Sequence, residues 1–400
     1  MLWAFSAKGR MAKSAVASQR NAAICPDAVE RFRRFTMAHP RLLQARDELL
    51  TAIEASPPGS LILVLGPTGV GKTTLRRKVE ETLIESMRPC LQADPGRIAV
   101  LTIEAVAPES GNFNWRDHFH RMLVAIREPL IDCKTDVSRD GALRAVNGRY
   151  TGCPRDVTAY QLQQSLENAV RHRRPAAVIV AEAQHLARIA SGRKLSDLLD
   201  VVKSVGSRTQ TVQVLIGTYE LLAFRNLSGQ LSRRSVDVHF PRYRAEDERD
   251  IDIFQNVVFT FQSHVPGAEA VDLAGIWDFL YERSVGCVGI LRDWLMRAVI
   301  TSLKNDRHRL TRRTIEQTAL SVSQCEKIVA EARDGEMRLA ETEQGRNRLR
   351  RLLNLEGSLS ANHTEQPGEP AAPPSPAKTR TPGLRSPRRD PVGRTQVAYA

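Results

Sequence analysis

The sequence lacks any C-x-x-C pair: its six cysteines, Cys25, Cys90, Cys133, Cys153, Cys287 and Cys325, stand far apart. That spacing suggests neither a zinc site nor a disulfide framework, and it points to a reducing, cytoplasmic setting. No apolar run approaches the ~20 residues that cross a bilayer, so no membrane partner is expected. Aromatic residues are scarce at 5%, and the 21 prolines are clustered, which marks unpacked chain. The first 25 residues contain no acidic side chain, only Lys8, Arg10, Lys13 and Arg20. Transit peptides and basic nucleic-acid arms share this composition, a disordered start is the simplest reading, and Met11 is an alternative initiator.

Against these absences stands a surplus of base. Fifty-eight Lys and Arg face 45 Asp and Glu, a net charge of +13. The excess favours a polyanionic partner such as nucleic acid, although charge that only keeps a protein soluble gives the same number.

Five short β-branched segments, at 61–65, 98–103, 177–180, 212–216 and 236–240, recur between helical stretches, and most are almost wholly apolar. Strands buried on both faces read this way, so an α/β fold with a five-stranded parallel sheet covered by helices is expected. After Arg244 the strand signal stops, and amphipathic stretches follow near 246–263, 270–283, 289–303 and 311–333. The expected organisation is a basic arm (1–25), an α/β domain (26–244), a helical lid (245–335), a charged helix (336–356) and a disordered Pro- and Arg-rich tail (357–400). In the charged helix, Leu349, Leu352 and Leu353 give one apolar stripe, which a solvated helix or a docking helix could carry.

Between the first strand and the next helix lies Gly66-Pro67-Thr68-Gly69-Val70-Gly71-Lys72-Thr73, the G-x-x-x-x-G-K-[ST] phosphate loop in its required context. Its glycines let backbone amides converge on phosphate oxygens, and the helix N-terminus adds partial positive charge. Lys72 is placed to reach the β and γ phosphates of ATP and Thr73 to bind Mg2+, while Thr74 supports the α phosphate or caps the helix.

A second acidic element is incomplete. The segment 175–185 ends its apolar run at Ala181-Glu182-Ala183-Gln184-His185 and resembles the strand that supplies two acids to the metal and water of phosphate-loop ATPases. Ala181 stands where the first acid belongs. Glu182 is placed to orient water or, indirectly, to serve Mg2+; a solvated carboxylate at a strand end is the plainer alternative. ATP binding should therefore survive better than turnover.

These residues resemble the TnsC and TniB AAA+ regulators of DNA transposition and, more distantly, the origin-recognition and helicase-loader ATPases, from about His39 to Ala298. The likeness rests on His39-Pro40, the loop from Gly66 to Thr74, Phe113-Asn-Trp115, Glu182-Ala-Gln-His185, Ile216-Gly-Thr218, Gln230-Leu-Ser-Arg233-Arg234 and Gly289-Ile-Leu-Arg292. It implies an AAA+ fold with Thr218 as sensor 1, Arg233 or Arg234 as an arginine finger acting on a neighbouring subunit, and Arg292 as sensor 2. It further implies that His39, Pro40 and Ile290 wall the adenine pocket.

By the same resemblance, the chain assembles with itself as a ring or helical filament on duplex DNA, and works with a transposase and a target-selector protein of TniQ or TnsD type. No winged-helix-like segment follows the lid, which counts against the origin-recognition version. A non-hydrolysing ATP-stabilised scaffold and a helicase-loader or signalling ATPase stay open. DNA-contacting candidates are Lys134, Arg139, Arg144 and Arg149, but Asp132, Asp136 and Asp140 interleave with them, so a neutralised exposed loop fits equally.

Overall fold

The structure, a computed structural model, describes residues 25–107, 113–128, 145–146, 149–150, 158–187, 193–225, 235–305 and 309–355. Two helices open the described chain, α1 (Pro26–Arg34) and α2 (Pro40–Ala55), and each carries proline in its first turn, where no backbone donor is lost. There follow β1 (Leu61–Leu65), α3 (Lys72–Ser86), α4 (Arg88–Ala93), β2 (Val100–Glu104) and α5 (Trp115–Ala125). A two-residue hairpin, β3 (Ala145–Val146) and β4 (Arg149–Tyr150), precedes α6 (Ala159–Arg173) and β5 (Ala177–Ala181). The α/β part closes with α7 (Gln184–Ala187), α8 (Arg193–Thr209), β6 (Val212–Gly217), α9 (Leu222–Arg225) and β7 (Ser235–His239).

Five of these strands form one parallel sheet in the order β2-β5-β6-β1-β7. β1 lies between β6 and β7, and all five of its residues are buried, as its unbroken Leu-Ile-Leu-Val-Leu sequence requires. The pleat divides the apolar side chains between two faces. Ile62, Val64, Ile179, Val214 and Ile216 pack with α2 and α3 on one side, while Leu61, Leu63, Val180 and Leu215 join Leu199 and Val202 of α8 on the other. Each of these buried aliphatic side chains contributes about 1.5–3 kcal/mol relative to exposure.

The strands match the expected segments with small shifts. β2 begins at Val100 rather than at 98, because the Ile98 amide donates to the Arg173 carbonyl (2.9 Å) and Ala99 accepts from Ala176 (2.9 Å). The hairpin was not anticipated; two-residue strands carry no readable periodicity.

Past the sheet come α10 (Glu248–His264), α11 (Trp277–Ser284), α12 (Val288–Lys304), α13 (Arg312–Thr318) and α14 (Val322–Leu339). The first four of these share a core centred on Trp294, fully buried, whose Nε1 donates to the Ile315 carbonyl (2.9 Å). Val29 and Phe32 of α1 belong to this same helical core, so the first described helix packs with the helices that follow the sheet. The stretch expected as one helix over 311–333 is broken: Ala319 is extended, and Ser321 starts α14 through a capping box with Gln324. α14 then runs past 335 to Leu339.

The chain divides compactly at Ala340. Beyond it, α15 (Glu343–Leu352) is capped by Thr342, and Leu349, Leu352 and Leu353 are exposed. Among the described residues, no helix is long and apolar enough to cross a membrane.

Candidate nucleotide site

The phosphate loop joins the buried end of β1 to the first turn of α3. Gly69 and Gly71 adopt φ of 76° and 116°, the left-handed region that side chains resist, so the loop can fold back over its own amides. Lys72 is buried at 8% exposure, and its ammonium donates to the carbonyls of Gly66 (3.0 Å) and Pro67 (2.8 Å). Burial pulls the Lys72 pKa down to about 8, opposed by the negative charge of Glu182 and by Cys287. A phosphate chain seated in the loop would replace those carbonyls with full negative charges. Thr73 is exposed on the first turn of α3, and Thr74 faces a pocket beside the loop.

β5 delivers the acidic element, with Ala181 as its last residue and Glu104 of β2 its partner in register. The chain then turns sharply: Glu182 has φ 50°, a left-handed conformation costing a non-glycine residue about 1 kcal/mol. Backbone strain of this kind persists where surrounding contacts enforce it. Here the Ala183 amide donates to the Ile216 carbonyl (3.0 Å), and Gln184 donates through Nε2 to Glu182 Oε2 (2.6 Å). Thr218, at the end of β6, has a buried hydroxyl without a protein partner. An orphaned buried hydroxyl beside a phosphate loop fits a group that comes with the ligand.

Two pockets flank the loop. The first, about 40 Å³, is bounded by His39, Leu42, Val70, Gly71, Thr74 and Arg292. His39 stacks on Phe240 (6.1 Å between ring centres), and its Nδ1 lies 2.9 Å from the Tyr243 hydroxyl; burial lowers its pKa to about 4, so the ring is neutral. Pro40 is exposed on the first turn of α2 and does not line this pocket. Ile290 sits directly on the loop, its amide donating to the Gly69 carbonyl (3.1 Å). At Gly289 a Cβ would lie 2.4 Å from the Gly69 oxygen, so only glycine lets α12 approach this closely. Arg292 reaches the pocket rim but is bonded to the carbonyls of Arg33 (2.5 Å) and Phe35 (3.3 Å).

The second pocket, about 190 Å³, lies between Pro67, Thr68 and Thr218 and the α14 residues Glu331, Asp334 and Arg338. Thr218 and Arg292 thus line different pockets. Sequence reasoning missed α14 as a wall of this pocket, together with the residues that fix it there. A Cβ at Gly335 would fall 2.0 Å from Cγ of Tyr219, so α14 rests its backbone on that ring. The Tyr219 hydroxyl is 2.8 Å from His239 Nε2, and Arg242 pairs with Glu336 at 3.1 Å. The only local hint was a glycine inside a helical stretch, which marks a close approach without naming its partner. Arg233, Arg234, Lys134, Arg139 and Arg144 lie outside the described residues, as does the Arg149 side chain.

Residues 57–224 match the family described as AAA domain. Among solved structures, similarity extends to the Aeropyrum pernix ORC2 protein in its ADPNP–ADP complexes, at 13% identity and a TM-score of 0.48, covering 74% of this chain and 71% of that one. The Aeropyrum pernix ORC1 protein in complex with DNA matches at 17% identity and a TM-score of 0.44, over 70% of this chain and 65% of that one. Cdc6p from Pyrobaculum aerophilum matches at 14% identity and a TM-score of 0.43, over 74% and 71%. The sequence matches no curated protein. The sheet order, the loop between β1 and α3 and the AAA-domain match over residues 57–224 together give the AAA+ P-loop NTPase fold.

Proposed function

We propose that the chain is an ATP-dependent AAA+ switch that binds duplex DNA, assembles on it and regulates DNA transposition. The observation that carries the ATP site is the convergence of Lys72, Glu182 and Thr218 on one phosphate loop, with the Thr218 hydroxyl left unpartnered. Lys72 binds the β and γ phosphates, and the loop amides with the α3 N-terminus hold the chain of charge. His39, neutral and stacked on Phe240, walls the base side with Ile290 nearby. Pro40 starts α2 and stands next to His39 on the wall of an adjoining pocket, from where it borders the base side.

Mg2+ fits this site with one direct protein ligand, the exposed Thr73 hydroxyl, since Ala181 offers no donor; Mg2+ tolerates such sites because it keeps several waters. When bound, the metal neutralises charge on the phosphates. Glu182 orients the attacking water and Thr218 contacts the γ phosphate. Arg233 or Arg234 completes the site from a neighbouring subunit, and Arg292 must leave the Arg33 and Phe35 carbonyls to act as sensor 2. In this reading 26–244 is the nucleotide-binding domain and 245–335 its lid, with α1 packed into the lid core.

The transposition role rests on the likeness to TnsC and TniB, and the DNA track on the +13 charge. A transposase and a TniQ- or TnsD-type selector are the partners this likeness supplies. Electron microscopy of the full chain with duplex DNA and ATP, a slowly hydrolysed analogue or ADP tests it. Filaments or rings that form with ATP and the analogue and not with ADP support the switch; monomers under all three conditions contradict it.

Ala181 favours one second reading, a scaffold held together by ATP with little turnover. Assemblies that persist in ATP as long as in the analogue would select it. A replication-initiator or helicase-loader role uses the same site and differs in its client, a ring helicase.

A further inference from the structure

We infer that Gln184 is a positioning residue that locks Glu182 to the sensor strand β6, so that the carboxylate is aligned through the Gln184 amide rather than through a neighbouring acid. This rests on the proposed ATPase reading, in which Glu182 orients water.

Gln184 is 4% exposed and sits on the first turn after the acidic element. Its Oε1 accepts from the Thr218 backbone amide (3.3 Å), and its Nε2 donates to Glu182 Oε2 (2.6 Å). The orientation of the amide is fixed by chemistry: a backbone N–H can only donate, so it must meet the oxygen, and the nitrogen then faces the carboxylate. At Gly217 a Cβ would lie 2.5 Å from Gln184 Oε1, so the strand leaves room for this oxygen only because it carries glycine there. Together with the Ala183 amide on the Ile216 carbonyl (3.0 Å), this ties residues 183 and 184 to the end of β6.

The consequence is a short relay. Thr218 lines the pocket on the Thr68 side of the loop, and its backbone amide is the group that holds Gln184. A shift of Thr218 toward a γ phosphate moves the Gln184 oxygen, and the same rigid amide plane carries the movement to Glu182. One carboxylate oxygen is held by Gln184, which leaves the other for water. With alanine at 181, the usual flanking carboxylate contributes nothing to this alignment.

The test uses the full chain with Mg2+ and duplex DNA, measuring kcat and KM for ATP and the affinity for a fluorescent ADP analogue. Glu182→Gln, Gln184→Glu and Gln184→Met are compared with wild type. Gln184→Glu keeps an acceptor for the Thr218 amide and removes the donor to Glu182; Gln184→Met fills the volume with neither. The inference predicts that both lower kcat at least about tenfold while KM and analogue affinity stay within about threefold. Wild-type kcat in Gln184→Met, with Glu182→Gln inactive, overturns the positioning role alone. Loss of analogue binding in both Gln184 variants overturns it too, in favour of a purely structural residue. Undiminished turnover in Glu182→Gln, or a wild-type chain without turnover, overturns the ATPase reading and this inference with it.

Discussion

Arg242, on the chain leaving β7, and Glu336, on α14, form an ion pair at 3.1 Å with side-chain exposures of 6% and 12%. The Arg242 pKa is raised through this charge and its hydrogen bond, although burial opposes it. Removing one partner leaves a buried charge unmatched. Glu336→Ala is therefore expected to lower unfolding stability by about 3 kcal/mol, read from urea midpoints, whereas an Arg242→Met, Glu336→Met double variant recovers most of the loss. A single variant within about 0.5 kcal/mol of wild type would show that the pair does not hold α14 in place.

Gly335 makes the same contact sterically testable. Alanine at 335 must push α14 off Tyr219, because its Cβ would overlap the ring. The expected outcome of Gly335→Ala is a loss of about 1–3 kcal/mol by chemical unfolding, together with faster limited proteolysis after Arg338. Unchanged stability and cleavage would mean that α14 is not seated on Tyr219.

Acid should weaken the fold through buried histidines. His39 and His118 are 5% and 6% exposed, and burial lowers both pKa values from 6.5 to about 4. Between pH 6.5 and 4 the unfolded chain binds protons that the folded chain refuses, so stability falls as pH falls through that window. Each histidine contributes a loss of up to about 3 kcal/mol by pH 4. Urea midpoints at stepped pH check this, and His118→Phe, within an aromatic cluster of Phe113, Trp115 and Phe119, should flatten the slope.

The sheet was legible because its strands are buried on both faces and read as apolar runs, as at Leu61–Leu65, and the phosphate loop because eight consecutive residues carry its chemistry. The lid helices showed their period, yet the break at Ala319–Ser321 required recognising Ser321 and Gln324 as a cap. What the sequence could not display were long-range pairings. Nothing near Gly335 points to Tyr219, and nothing near Arg33 shows that its carbonyl holds Arg292. Gln184 was visible in the motif, but its link to Thr218 exists only once β5 and β6 lie side by side.

Restoring the missing acid is a direct probe of the metal. Ala181→Asp places a carboxylate at the end of β5, on the strand that presents Glu182. The Mg2+ concentration for half-maximal turnover should drop about tenfold. No change in that concentration would place the metal away from β5.

Titration calorimetry with ATP and Mg2+ on wild type and Lys72→Ala tests the central claim, that the loop between β1 and α3 is a nucleotide site. Lys72 is the buried cation donating to the Gly66 and Pro67 carbonyls. The account predicts saturable one-to-one binding to the wild-type chain and a loss of affinity of at least about a hundredfold in Lys72→Ala, the scale of about 3 kcal/mol for a buried charge-assisted contact. Equal affinities in the two chains, or no binding to wild type, would contradict it.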